Sequence, residues 1–377
     1  MKIVGTALAA LVVFGSPLAL AQAPAKATPR AVPTHQQSGA GITVKAGTEA
    51  PEGTSPARVQ DLRFLEKDPD DPFALERLGL RTVQANDLAK ARIFFERAWK
   101  LGQLPTAAYN LACVDAREKK VDAAFASLNR ALAAGFDDER SLKSDSDLAP
   151  LRESPRFQVA LDAARKNRAA GDAAAVKEGL FVSPKRKPAA ILVLLHDAAS
   201  SPMAVSAPFV AEADRRGLFL AVPRGPGKSA DKRFGWGSAE RAAAAVDAAI
   251  AEARRRARDP KLPVFLLGAG RGGTEAFTVA ARKPAGAVAG VGSIGGPFDP
   301  GAARQAAGLR GVRLFCGIAR DAAPAQAGAF RRGVDALRSS GLSPTVVEWP
   351  GVGASFPKDV PKAVSEALDG LGLPTGR

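Results

Sequence analysis

The sequence predicts two folded parts in series, an all-α helical repeat unit followed by an α/β domain built on a parallel sheet. Three observations carry this. Small and apolar residues recur at a constant offset of 33 between Leu78 and Ala131. After Lys177, short β-type apolar runs alternate with helical stretches. Three of those runs end in loops rich in glycine or carrying an acid, where open α/β sheets place their functional groups. At 377 residues the chain exceeds one domain of roughly 100–200 residues, and its 46% apolar content suffices for packed cores.

Residues 1–21 read as a signal peptide. Lys2 precedes an apolar stretch from Ile3 to Phe14, and Ala19-Leu20-Ala21 offers small residues at a cleavage site. The stretch is short for a membrane span, so the expected location is periplasmic or secreted. Residues 22–58, rich in Ala, Pro, Thr, Gly and Gln, hold too little apolar surface to offset ordering and read as a disordered linker. His35 lies inside this linker and is assigned no role.

The helical domain is placed at 59–170. Leu78-Gly79, Ala91, Phe95 and Ala98 recur as Leu111-Ala112, Ala124, Leu128 and Ala131. Small residues let paired helices approach, and Phe95 and Leu128 fill the space between them. This pattern resembles the tetratricopeptide repeat over two units, Pro72 to Ala134, and departs from it at Thr82 and Asp115. Ser141 to Ala164, with Leu148, Leu151 and Phe157, is expected to cap the stack. The resemblance implies a protein or peptide partner, held on the concave surface with Arg77, Arg81 and Asn110 as contacts. A structural prop for the next domain is the alternative.

The α/β domain is placed at 178–377. Its expected strands are Ala190–Leu195, Leu218–Val222, Val264–Leu267, Val288–Ile294, Leu314–Gly317 and Thr345–Glu348. Three loops follow such strands: Gly268-Ala269-Gly270-Arg271-Gly272-Gly273, Ile318-Ala319-Arg320-Asp321, and Pro350 to Pro357. With Leu194-Leu195-His196 and Trp236, they resemble the α/β-hydrolase fold, nearest to compact carboxylesterases and dienelactone-hydrolase-like enzymes. That resemblance implies a nucleophile elbow at 268–272, an acid at Asp321 and a histidine at 354. The chain departs from it where the chemistry belongs: the nucleophile position is Gly270 and the histidine position is Ala354. A serine hydrolase needs nucleophile, base and orienting acid together, and only Asp321 remains.

His196 stands where the family has a His-Gly pair beside the oxyanion loop, and reads as a turn-stabilising residue. The helix start at Gly270, Arg271 and Gly272, beside His196, is expected to retain N–H groups able to hold a small carboxylate, phosphate or acyl ligand. Gly268-x-Gly270-x-x-Gly273 matches a dinucleotide fingerprint by letter, but the acid expected about twenty residues on is missing. Gly227-Lys228-Ser229 lacks the earlier glycine of a phosphate loop. Cys113 and Cys316, one per part, read as buried and apolar, with an interdomain bridge as the alternative.

Two histidines and two cysteines leave few candidates for metal ligation or proton shuttling, so no metal and no cofactor is expected. The net charge is +15, and residues 171–377 carry 29 basic against 18 acidic residues. No aromatic residues interleave the basic runs as a base-stacking platform needs, so no specific nucleic-acid partner is expected. The leading expectation is an exported, non-catalytic binding protein that joins a helical module to a pseudo-hydrolase domain. The alternative is a weak serine esterase with a non-standard site, using His196 or a serine from Ser200, Ser201 or Ser229.

Overall fold

Local capping starts the helices. In the computed structural model, which describes residues 69–230, 232–296, 306–351 and 357–375, α1 (Pro72–Gln84) opens where the Asp71 carboxylate accepts the Phe73 and Ala74 N–H groups. α2 (Leu88–Gly102) opens on Asp87 in the same way, and α3 (Pro105–Arg117) on a proline whose missing N–H costs nothing at that position. α4 (Val121–Ala133) completes a second helical hairpin. The stretches expected as a signal peptide (1–21) and a linker (22–58) lie outside the described residues, as does Ala354.

Every position of the 33-residue pattern is buried. The Phe95 ring lies directly on Gly79, where a Cβ would come within 2.5 Å of its Cε1. After α5 (Glu139–Ser144) and a 3-10 turn at Ser146–Leu151, the long α6 (Pro155–Lys177) leads into the sheet. Leu148, Leu151 and Phe157 pack against the second hairpin with Ala112 and Leu128, as a cap would.

The sheet has seven strands: β1 (Leu180–Val182), β2 (Ala190–Leu195), β3 (Leu218–Val222), β6 (Val264–Ala269), β7 (Gly290–Ile294), β8 (Arg313–Ala319) and β9 (Thr345–Trp349). Their order is β1-β3-β2-β6-β7-β8-β9, parallel throughout except for β1, which runs antiparallel to β3. β2, β3 and β6 are buried at every position, the signature of a sheet covered on both faces. Leu192, Leu194 and Leu267 meet α7 (Pro202–Arg216) and α11 (Val360–Gly370) on one face. Ile191, Val193 and Leu266 meet α8 (Ala239–Ala257), α9 (Arg271–Ala281) and α10 (Pro324–Ser339) on the other.

A short antiparallel hairpin, β4 (Gly227–Ala230) and β5 (Arg233–Gly235), leaves the carboxyl end of β3. Sequence patterning did not anticipate it, because Gly-Lys-Ser-Ala and Arg-Phe-Gly show no apolar alternation. The helices hold it: Ala230 is buried with Ala74, Leu75 and Leu104, and the Arg233 guanidinium lies 5.7 Å from the Phe73 ring centre. The described helices and strands belong to one compact unit. Arg241, only 7% exposed at the start of α8, joins its two parts. It donates to Asp137 at 2.7 Å, to Asp172 at 2.8 Å and to the Pro226 carbonyl at 3.1 Å.

Candidate functional site

The carboxyl end of β6 turns into α9 through Gly270, with φ 52° and ψ −124°, a conformation open to glycine at little cost. The Gly270 N–H donates to the Ile294 carbonyl at 2.9 Å, which pins the turn against β7. Neighbouring glycines serve close packing. A Cβ on Gly268 would strike the Gly272 and Gly273 backbone, and one on Gly272 would strike the carbonyls of Leu195 and His196. The apparent dinucleotide fingerprint is therefore the spacing that lets α9 begin hard against β2, β6 and β7.

Asp197 changes what this elbow can do. Its Oδ1 accepts the Arg271 N–H at 2.6 Å and the Ala198 N–H at 2.7 Å. A Cβ built on Gly270 would fall inside van der Waals contact of the Asp197 carboxylate. The N–H after the nucleophile position and one from the loop after β2 are the donors of an oxyanion hole in this type of site. Here a carboxylate of the chain's own occupies the position expected to take a small anion. Asp197 is exposed, and Ala199 just beyond it has φ 53°, a strained value for a residue with a side chain. The Arg271 side chain reaches away to Glu275 at 2.9 Å.

His196 is 0% exposed, and both ring nitrogens are engaged. The Gly225 N–H donates to Nε2 at 2.9 Å, which makes Nδ1 the protonated nitrogen, donating to the Asp197 carbonyl at 2.7 Å. The Trp236 indole donates to the His196 carbonyl at 2.9 Å and its ring lies 4.8 Å from the imidazole. Burial, reinforced by the Arg224 charge, lowers the His196 pKa to about 4 although its bond to the Asp197 carbonyl opposes this. The imidazole is thus a neutral tie between two loops, with no nitrogen free to take a proton from a substrate.

Asp321 sits exposed at the end of β8, with its carboxylate against Gly351 at the end of β9. β7 stands between the strands carrying Gly270 and Asp321. Of the serines proposed as substitutes, Ser201 caps α7 by accepting the Ala204 N–H, and the Ser200 backbone pairs with Phe234 of the β4–β5 hairpin. Cys113 and Cys316 are both free and buried, so no bridge joins the two parts, and desolvation raises both thiols well above their ordinary range.

In the helical part, Asn110 lines a cavity of about 150 Å³ with Leu80, Cys113, Arg117, Asp145 and Asp147, while Arg77 and Arg81 lie half-buried on α1. Cys113, Asp145 and Asp147 offer ligand atoms within 4.8 Å of one another. Two of them are already engaged: Asp145 accepts from the Tyr109 hydroxyl at 2.7 Å and the Cys113 thiol at 3.6 Å. A second cavity, about 250 Å³, lies at the seam beside Asp137, Arg224 and Lys228, and an apolar groove of about 560 Å³ lies beside Trp349 and Pro361.

Sequence reasoning missed Asp197. The available signal was an acid where the resemblance has the glycine of its His-Gly pair.

No family model matches the chain. It is 37% identical over 91 residues to a chloroplastic protein of Arabidopsis thaliana, a match spanning 22% of this chain and 27% of that one. Among solved structures, an uncharacterized protein from Bacillus cereus covers 79% of the chain and 98% of its own length at 14% identity and TM-score 0.42. A thermostable carboxyl esterase from Bacillus coagulans covers 51% and 93% at 13% identity and TM-score 0.42. A dienelactone hydrolase from Anabaena variabilis covers 51% and 90% at 21% identity and TM-score 0.37. At this overlap the likeness carries no argument about activity. The mainly parallel seven-stranded sheet, covered on both faces with a glycine elbow at its centre, is consistent with an α/β-hydrolase-like domain.

Proposed function

We propose that this chain is a hydrolase-fold binding protein in which a self-liganded carboxylate has replaced serine chemistry. The observation that carries this reading is Asp197, bonded to the Arg271 and Ala198 N–H groups over Gly270. Acyl transfer needs those donors for the developing oxyanion and needs a nucleophile with a base in reach. Gly270 offers no nucleophile, and His196 has spent both nitrogens. The same reading takes the helical hairpins as a tetratricopeptide-like module that receives a protein or peptide across Arg77, Arg81 and Asn110. It also takes residues 1–21 as a leader that delivers the chain to the periplasm or beyond.

Hydrolysis of a short acyl ester tests it. The wild-type chain is expected to show no saturable turnover, and Gly270→Ser with Ala354→His is expected to stay inactive because Asp197 fills the serine's space. Adding Asp197→Gly to that pair should raise the rate on the order of 10²-fold by freeing the donors. Saturable wild-type turnover would overturn the reading.

The second reading is a hydrolase with a non-standard site. Asp197 favours it, since its exposed carboxylate stands where a nucleophile would. Turnover by the wild type that is lost in Asp197→Ala and kept in His196→Gln would establish this reading over the first.

A further inference from the structure

The basic surplus of the α/β part is gathered by topology at one end. Six adjacent strands, β3, β2, β6, β7, β8 and β9, run parallel, so their amino ends form one rim opposite the elbow. The helices between them run back against the strands and finish at the same rim. Backbone bonds knit it together: Ala189 N–H to Gly217, Ile191 N–H to Pro263, Ala289 N–H to Val264 and Arg313 N–H to Ala289.

Segments 183–189, 212–217, 252–263, 282–289, 309–313, 335–344 and 369–375 make up this rim. Together they carry fifteen Lys and Arg against six Asp and Glu. Helix C-termini favour cations on their own account, and this explains Arg215, Arg254, Arg255 and Arg338. It does not explain the loop cations Lys187, Lys261 and Arg310, which are exposed and have no carboxylate partner among the described residues.

We infer that this rim is a docking face for an anionic lipid surface, held by charge without insertion. The six strand ends span about 24 Å, broad enough to meet many headgroups at once. The segments contain no Phe, Tyr or Trp, and none of the exposed large apolar side chains of the described residues lies on them. Base stacking and membrane insertion both need such groups. A duplex is commonly gripped by backbone N–H groups at helix N-termini, whereas this face presents helix carbonyl ends and reaches outward chiefly through long basic side chains, fifteen against six acidic ones. Laterally mobile headgroups can adjust to the irregular spacing of those side chains; fixed phosphates along a polymer cannot.

Vesicle co-sedimentation of the full chain tests the inference, with phosphatidylglycerol and phosphatidylcholine vesicles as probes. The wild type is expected to pellet with phosphatidylglycerol alone and to be released as salt rises. Lys187→Glu, Lys261→Glu and Arg310→Glu combined should weaken that binding roughly tenfold or more. Lys100→Glu, Lys166→Glu and Lys177→Glu, exposed lysines of the helical part with the same total charge change, should leave it within about twofold. Equal loss in both triples would mean that net charge alone acts, and would overturn the assignment of this face. Absence of wild-type binding at low salt would overturn it too, as would tighter binding of duplex DNA than of vesicles at matched salt.

Discussion

At Gly270 the backbone takes a shape that L side chains resist, and a Cβ there would run into Asp197. The residue is doubly fixed, by torsion and by space. Its identity was legible in the sequence because the Gly-x-Gly-x-Gly run follows an apolar strand. The task of Asp197 was not, because its partner lies 74 residues away and meets it only once α9 has landed on β2. His196 makes a testable case at the same scale. Its folded pKa of about 4 lies below the ordinary 6.5, so the unfolded chain binds the proton first. The stability this burial contributes is complete above pH 6.5 and is lost as pH falls from 6.5 toward 4. Between pH 7 and pH 5 the loss should be about 2 kcal/mol. Denaturant titrations of the wild type and His196→Gln at both pH values check it: the variant should lose about that much less.

Among the elements, the two helical hairpins share a register but differ in how they fill it. The first sets Phe95 on Gly79; the second has Leu128 and Ala112 at the same positions. A larger ring in one hairpin is matched by a smaller floor beneath it. Gly79→Ala should therefore destabilise the chain by about 1–3 kcal/mol through overpacking, even though alanine is the better helix former. Combining it with Phe95→Leu should cost less than the two changes separately, and a double-mutant cycle in urea measures that coupling. Strict additivity would refute the account. The hairpins were readable because burial on one helix face leaves a periodic trace. The β4–β5 hairpin left none: Gly227–Gly235 is held by backbone pairing and by helices far off in sequence, and the Phe234 pairing with Ser200 ties it to the loop that carries Asp197.

For the whole molecule, the seam between helices and sheet rests on buried arginine. Arg241 reaches Asp137 and Asp172, and Arg224 reaches Glu178 at 2.8 Å and the Gly171 carbonyl at 3.1 Å. Removing Arg241 leaves the Asp137 carboxylate, only 17% exposed, without its partner and largely shielded from solvent. Arg241→Ala should cost about 3–5 kcal/mol, whereas Arg241→Met with Asp137→Leu should cost much less. Circular dichroism during guanidinium unfolding distinguishes these, and a change below about 1 kcal/mol in the single variant would contradict the seam as drawn.

The amino-acid order by itself determined the two kinds of secondary structure, the 33-residue helical register, the six parallel strands and the absence of a side chain at Gly270. Each depends on residues near one another in the chain, where propensity and periodicity act. The tertiary structure decided that Asp197 accepts the Arg271 and Ala198 N–H groups over Gly270, that His196 is a closed tie between loops, that Arg241 joins helices to sheet, and that scattered basic residues share one rim. Those facts arise where strands and helices distant in sequence come to rest, and a carboxylate or guanidinium bonds to whatever donors and acceptors that packing brings within about 3 Å.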